Sequence, residues 1–497
     1  MKRLLIPLVS AGLSAAIVAT PASAQPHWAT DNLTPKPADA YGAAAFWLDA
    51  NGAALRKATQ YTSVDSQDVP KLVSSQSKGA PDGKPGMTGP TTTAKATTSK
   101  NVNLPKTIGK VFFLDGGGHY RWCSATSIQS RNRNLVATAG HCVFENGKDD
   151  VYDKWVFVPG YYQGKAPWGV YVGAYAYTAY DLDTYDDYDG DYAFVAVHNG
   201  FSLAGEKDVT RREYKEWVGD KWLRPREITH EEFVKCQLNL GECWSQGQGE
   251  PSLVGPDHPD AVLEKVEVAK GTYDAARTGR GQGFKFGEPV VEQLTKTQWE
   301  AYKGPGAKGT GPDKLGNYTV VHYYTQRWVK PDSGRRYFEA HWVVGVAKDM
   351  GRLGDVVGGQ GFSWNQPLNQ PVTAFGYPRD LHPNGDRQFT GVTPKWCAGK
   401  TGTKTYQVNT FKVETHQVLK CSMTGGADGG PWLLKYNNGK RTGYVNGVTS
   451  MFHDNDENGR IDYISSAVFD GETADVYNKA NYQATKSIVS PKGELLQ

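Results

Sequence analysis

The stretch "TGGADGGPW" at residues 424–432 decides how the whole chain is read. Glycines crowded around one acidic side chain force a sharp backbone turn and leave amide N–H groups pointing outward, which is how an anion or oxyanion site is made. The acid at the centre is Asp428. The frame Gly425, Gly426, Gly429, Gly430 and Pro431 leaves no room to slide the register, and Ser422 and Ser450 lie in neighbouring segments and not in the turn.

Working outward, two upstream segments carry chemistry that fits such a turn. "VATAGHCV" (136–143) ends an apolar strand in a small-residue turn that presents His141 next to Cys142, and "DGDYAFVAV" (189–197) opens an apolar strand with Asp191 at its edge. The chain order is thus His, Asp, glycine turn, the order in which one known serine-hydrolase arrangement places base, orienting acid and nucleophile. The surrounding pattern is strand, turn, strand. It runs from "TIGKVFFLDGGGHYRWCSAT" (107–126), with Asp115 and the following glycines at a hairpin position, to about residue 200, a spacing that suggests a barrel. A second β series starts near "LGDVVGGQGFSW" (353–364), includes a hairpin with Asn438 and Gly439 at its turn, and ends in the helix-like "GETADVYNKA" (471–480).

Between them, residues 201–350 read as a large α/β insertion. Thr229 with Glu232 three residues on is a helix-capping pattern, and "TKTQWEAYK" (295–303) suits a short helix. The expected organisation is therefore 1–24 signal peptide, 25–106 propeptide or disordered linker, 107–200 first barrel, 201–350 insertion, 351–482 second barrel and 483–497 tail. Lys2 and Arg3 before "LLIPLVSAGLSAAIVA" (4–19), with Ala22, Ser23 and Ala24 as the cleavage pattern, point to export, a membrane helix being the alternative. Residues 40–58 are helix-compatible. "SSQSKGAPDGKPGMTGPTTTAKATTSK" (74–100) is too polar to bury a core.

Bulk composition agrees with a secreted, mainly β protein. The 497 residues hold 57 Gly, 27 Tyr and 14 Trp, favouring strands and turns. Lys plus Arg number 55 against 52 Asp plus Glu, a net +3 without a basic block, which argues against nucleic acid or anionic membrane as partner. Six cysteines fall as three close pairs, Cys123/Cys142, Cys236/Cys243 and Cys397/Cys421, for which sequential disulfides are favoured over a zinc site. Closing a loop of about 20 residues with Cys123–Cys142 is worth roughly 3 kcal/mol in the chain-entropy picture.

On "TAGHC", "DYAFV" and "GGPW", the chain resembles secreted bacterial trypsin-like serine peptidases of the actinomycete type, over about residues 107–200 and 351–482. The resemblance implies a two-barrel chymotrypsin-like fold, His141 as general base, Asp191 as its orienting acid, an oxyanion hole from the amides of Gly426 and Asp428, and the Cys123–Cys142 bridge. It also implies a serine at 428, where this chain has Asp428. An ionised carboxylate is a feeble nucleophile toward an amide, and beside His141 it favours the imidazolium and disables the base. Ala427 stands where many relatives have an acid that pairs with a released N-terminus. Ser422 stands where basic-specific relatives have an acid in the specificity pocket, so a Lys/Arg preference is not supported. The expectation is an impaired peptidase homologue, monomeric, that binds peptide or protein segments in the inter-barrel cleft, with an active serine endopeptidase as the alternative.

Two further features stand apart. "DNDENGRID" (454–462) spaces Asp454, Asp456, Asn458 and Asp462 like ligands of a calcium loop, but position twelve is Ser465, so an acidic hairpin competes with a structural calcium site; no other cofactor is expected. Asp186, Asp187 and Asp189 read as a solvent-facing cluster. In the insertion Trp217, Trp222, Trp244 and Tyr324 raise a third class, a binding module, although aromatics in strands are more often core.

Overall fold

The computed structural model describes residues 26–61, 69–76, 82–89, 103–148, 150–218, 221–239, 241–247, 252–312, 316–330 and 335–496; the expected signal peptide lies outside them. The chain divides into two compact units, one of Met1–Gly205, Val218–Asp220 and Val346–Gln497, the other of Glu206–Trp217 and Lys221–Gly345. The fold is mainly β.

The larger unit holds the glycine turn. Six antiparallel strands, Ile108–Leu114, Tyr120–Ile128, Leu135–Thr138, Ala193–Val197, Tyr171–Ala179 and Asp153–Pro159, pair in that order. The last pairs with the first and closes a barrel, which leaves no free edge among these six. Their Val, Phe and Ala side chains are almost all buried, as expected of short strands that face a core. Asp115 makes the first hairpin by accepting the N–H groups of Gly117 and His119 at 3.0 and 2.9 Å.

The expectation of a propeptide or disordered linker over 25–106 fails for residues 26–61 as far as disorder is concerned. Trp28–Asn32 pairs antiparallel with Tyr171–Ala179, beyond the point where Asp153–Pro159 stops pairing with it. Pro37–Lys57 is a helix started by Pro37, whose fixed φ suits the first turn. It buries Ala40, Ala43, Ala44, Trp47 and Leu48, the three- and four-residue spacing of one helix face. Trp47 is fully buried and lies against Phe112, with its Nε1–H donating to Lys154 O. Trp47→Ala is therefore expected to lower barrel stability by about 3–5 kcal/mol, read as a drop in the urea midpoint at unchanged slope. A drop below about 1 kcal/mol would show the helix to be a passenger.

The polar stretch beyond it is also used. Val73–Ser74 pairs with Tyr406–Val408, and Gly86–Thr88 with Gly361–Trp364. Strand pairing draws on the backbone, so the polar composition that marked this region as linker did not prevent it.

The C-terminal part of this unit forms two open sheets among the described residues, not a second closed ring. One orders Lys395–Lys400, Pro371–Gly376, Pro431–Asn437, Thr442–Val448, Gly361–Trp364 and Gly86–Thr88; the other orders Met451–His453, Tyr463–Ser466, Val413–Lys420, Tyr406–Val408 and Val73–Ser74. Trp432, Leu434 and Val372 of the first share one apolar cluster with Leu419, Phe452 and Ile464 of the second. The helix Gly471–Asn481 is capped by Asp470 and Thr473, and Tyr477 stacks on Phe362 at 4.2 Å.

The second unit carries its own sheets. Tyr318–Val329 is flanked by Val262–Val268 and Val290–Leu294, and Arg336–Gly351 pairs with Lys221–Ile228 and Cys243–Gln246. Three short helices start at Thr210, Thr229 and Thr295, each with a complete capping box. Trp244 is exposed, whereas Trp217, Trp222 and Tyr324 are half-buried.

Candidate active site

His141 follows the strand Leu135–Thr138 in the single 3-10 turn Gly140–Cys142, which the Cys123–Cys142 disulfide ties to the neighbouring strand. Cys236–Cys243 and Cys397–Cys421 are also bridged. Asp191 follows the turn Tyr188–Gly190 and precedes Ala193–Val197. The structure brings the two together: Asp191 Oδ1 accepts the backbone N–H of His141 at 2.9 Å, and Oδ2 lies 2.8 Å from His141 Nδ1. Ser450 Oγ–H donates to the same Oδ2. The sequence placed Ser450 only outside the glycine turn. Its place beside Asp191 depends on pairing between strands far apart in the chain, which no local pattern signals.

The glycine turn faces this pair. Gly426 and Gly429 have φ of +93° and +76°, and a Cβ on Gly429 would stand 2.1 Å from Thr138 Oγ1 and 2.3 Å from Ser124 O. Ser124 pins the turn to the first barrel. Its N–H donates to Asp428 O at 2.8 Å, and its Oγ–H donates to Gly426 O at 2.7 Å while accepting the N–H of Tyr377. Within the turn, Asp428 Oδ1 lies 3.4 Å from His141 Nε2, an ion-pair contact longer than an ordinary N–H···O bond. Asp428 Oδ2 accepts the N–H of Gly426 at 2.7 Å. One of the two amides expected to form an oxyanion hole, that of Gly426, is therefore occupied by this side chain.

Burial and charge decide the protonation. His141, Asp191 and Asp428 are all 0 % exposed. Burial disfavours the imidazolium, yet the carboxylates of Asp191 and Asp428 outweigh it and push His141 up to about 10. Burial raises Asp191, but His141 and Ser450 outweigh it and hold the carboxyl below its ordinary value. Burial raises Asp428, and His141 and the Gly426 amide offset this only in part. At neutral pH the base position thus already carries its proton. Tyr188 stacks on the imidazole at 5.8 Å, and the ring of Tyr61 lies 6.0 Å away on the same histidine.

Other expected residues fall elsewhere. Ser422 is exposed and Ala427 is fully buried. Among the described residues the carboxylates of Asp454, Asp456 and Asp462 do not gather within ligand distance of one another. Asp454 accepts the N–H groups of Asn458 and Gly459 at 3.2 and 2.8 Å, Asp462 accepts that of Asn455, and Asn458 accepts that of Arg460, which is the geometry of a self-capped hairpin. The expected solvent-facing cluster needs correcting at Asp189, which is half-buried and accepts the amides of Glu414 and Thr415 and the hydroxyl of Thr415.

A closed β barrel, a second β half, and a His–Asp pair facing a glycine turn define a chymotrypsin-like scaffold. No protein-family model and no curated protein sequence matches the chain. Among solved structures it is similar to the protease Anisep from Arthrobacter nicotinovorans at 18% identity, covering 77% of this chain and 99% of that one with a TM-score of 0.40. It is also similar to the thermostable serine protease AL20 from an extremophilic microorganism, at 18% identity, 76% and 98% coverage and a TM-score of 0.40. A Glu endopeptidase in complex with MPD follows at 12% identity, 78% and 96% coverage and a TM-score of 0.35. Likeness this distant leaves the chemistry to be read from the residues of this chain.

Proposed function

We propose that the protein is an exported trypsin-like peptidase homologue that has lost efficient hydrolysis and retains a peptide-binding cleft. The observation that supports it is the position of the Asp428 carboxylate, with one oxygen on Gly426 N–H and the other against His141 Nε2. Acyl transfer on this scaffold needs a hydroxyl at Nε2, a neutral imidazole and free oxyanion donors. Asp428 takes up all three. Were its carboxylate to attack a peptide carbonyl, the adduct would expel the carboxylate more readily than the amine, and the C–O bond would break again. Loss of a triad serine lowers turnover by roughly a millionfold, with binding and the oxyanion donors accounting for what survives. The three disulfides fit an oxidising compartment, in line with the leader-like N-terminus.

The competing reading, a working endopeptidase, draws on the intact hydrogen bonds among His141, Asp191 and Ser450. It would require a hydroxyl at Nε2, where Asp428 Oδ1 stands. The chain from Gln25 onward is to be treated with a fluorophosphonate probe and assayed on fluorescent casein beside His141→Ala. We expect no labelling and equal hydrolysis by the two proteins, with casein peptides bound by both. Labelling of any hydroxyl on the natural chain, or casein hydrolysis above the His141→Ala level, refutes the silent-scaffold reading.

A further inference from the structure

Away from His141, Asp191 and Asp428, one ionisable side chain of the larger unit is buried without a partner of opposite charge. Lys110 lies on Ile108–Leu114, opposite Ser124 in the register, and is 3 % exposed. Its Nζ stands 3.2 Å from the centroid of the Trp122 ring, 4.4 Å from that of Tyr161 and 5.4 Å from that of Tyr377. Ring faces replace part of the hydration that an ammonium gives up, but they supply no counter-ion. Among the described residues Lys110 has neither an ion pair nor a side-chain hydrogen bond. An apolar side chain would fill the same place without that cost.

The charge that acts on Lys110 has the same sign. Arg379 is fixed beside the glycine turn by its N–H, which donates to Gly425 O at 2.9 Å. A Cβ on Gly391 would stand 2.8 Å from Trp122 Cζ2 and 3.0 Å from Arg379 Cβ, so the arginine rises at the edge of the indole whose face carries Lys110. Its guanidinium is close enough to act on both Lys110 and Tyr161, and among the described residues it too lacks an ion-pair partner. Burial first, and then this guanidinium, hold the Lys110 amine well below its ordinary value. Two cationic groups thus share one aromatic recess with no anion between them.

We propose that Lys110 and Arg379 form a binding site for a small carboxylate, entered from the side of Arg379 and floored by Trp122, Tyr161 and Tyr377. Arg379 is half-buried, so the recess reaches solvent at its end. The planar guanidinium matches a carboxylate, and the lysine meets the anion as a point charge from within. A phosphate dianion is disfavoured, because it would shed more hydration between aromatic walls. As the carboxylate enters, the amine takes one proton from solvent and becomes the ammonium that the anion and the ring faces jointly stabilise; no covalent bond forms. A Cβ on Gly426 would stand 2.7 Å from Trp122 Cη2, so the indole that floors the site also touches the glycine turn. The proposal does not depend on whether position 428 supports hydrolysis.

Carbon-13 NMR of the chain from Gln25 onward, labelled at lysine, tests this with acetate as the probe; Lys110→Met assigns the Lys110 Cε signal. In acetate-free buffer that signal should titrate well below those of the exposed lysines. Saturating acetate should raise its midpoint by about one pH unit or more, the effect of an opposite charge at contact distance. Inorganic phosphate at the same concentration should move it less. Acetate binding, read from the same shifts, should weaken by about tenfold or more in Arg379→Gln, which removes charge-assisted hydrogen bonds at the solvent end and leaves the buried lysine in place. This second variant keeps the test open if Lys110→Met does not fold. A Lys110 midpoint among those of the exposed lysines, a midpoint that acetate leaves unmoved, a stronger response to phosphate, or an acetate affinity unchanged in Arg379→Gln would each overturn the proposal.

Discussion

Asp428→Ser is expected to switch on covalent labelling by fluorophosphonate at position 428 and to raise casein hydrolysis by about a thousandfold or more over the natural chain, given the roughly millionfold contribution of a triad nucleophile. Three changes act together. A hydroxyl replaces the carboxylate opposite His141 Nε2, the Gly426 amide becomes free to receive an oxyanion, and one of the two carboxylates that hold the imidazole protonated disappears. The backbone needs no adjustment, since the turn is held by Ser124 through main-chain groups and its own Oγ. If Asp428→Ser remains unlabelled, the scaffold is not a peptidase scaffold with a missing nucleophile, and the reading falls.

The second large effect concerns pH. His141 has its pKa raised from 6.5 to about 10 in the folded protein, so its contribution is fully present below pH 6.5 and is lost as pH rises through 10. Asp428 is also raised by burial, which has the same sign, with stability falling as pH climbs through its titration. Asp191 is lowered, so its contribution is lost only as pH drops below the ordinary carboxylate range. Urea midpoints should therefore be highest on the acid side of neutrality and fall by several kcal/mol between pH 6.5 and 10, each pKa unit corresponding to about 1.4 kcal/mol. In Asp428→Ser the fall should be smaller, since one carboxylate that holds the proton is gone. Equal slopes in the two proteins, or midpoints that rise toward pH 10, would show that His141 is not clamped between two carboxylates.

The barrel and the pairing of His141 with Asp191 were legible because they rest on local patterns: alternating short strands, a small-residue turn before Cys142, and a glycine frame that fixes position 428. What escaped had no local signature. Trp28–Asn32 is a strand because Tyr171–Ala179 offers it an edge, and Val73–Ser74 pairs through backbone groups despite its polar surroundings. Ser450 lies in the two-residue link between Thr442–Val448 and Met451–His453, and only the packing of segments far apart in the chain sets it beside Asp191. The spacing in 454–462 left two readings open because Asx turns and calcium loops favour the same residues, and the structure shows the hydrogen bonds of the hairpin one.

Ser124 meets the turn at two points, Gly426 and Asp428, takes the amide of Tyr377, and accepts from Thr138 through its carbonyl. The glycine loop is thus also the seam that stitches one β half to the other. On the reading proposed above, a chain released from hydrolysis would keep such a seam, because fraying it would part the halves, while the side chain at 428 would be free to drift. The glycine frame in that sense serves foldability, and turnover must be sought in the one atom group that the frame displays.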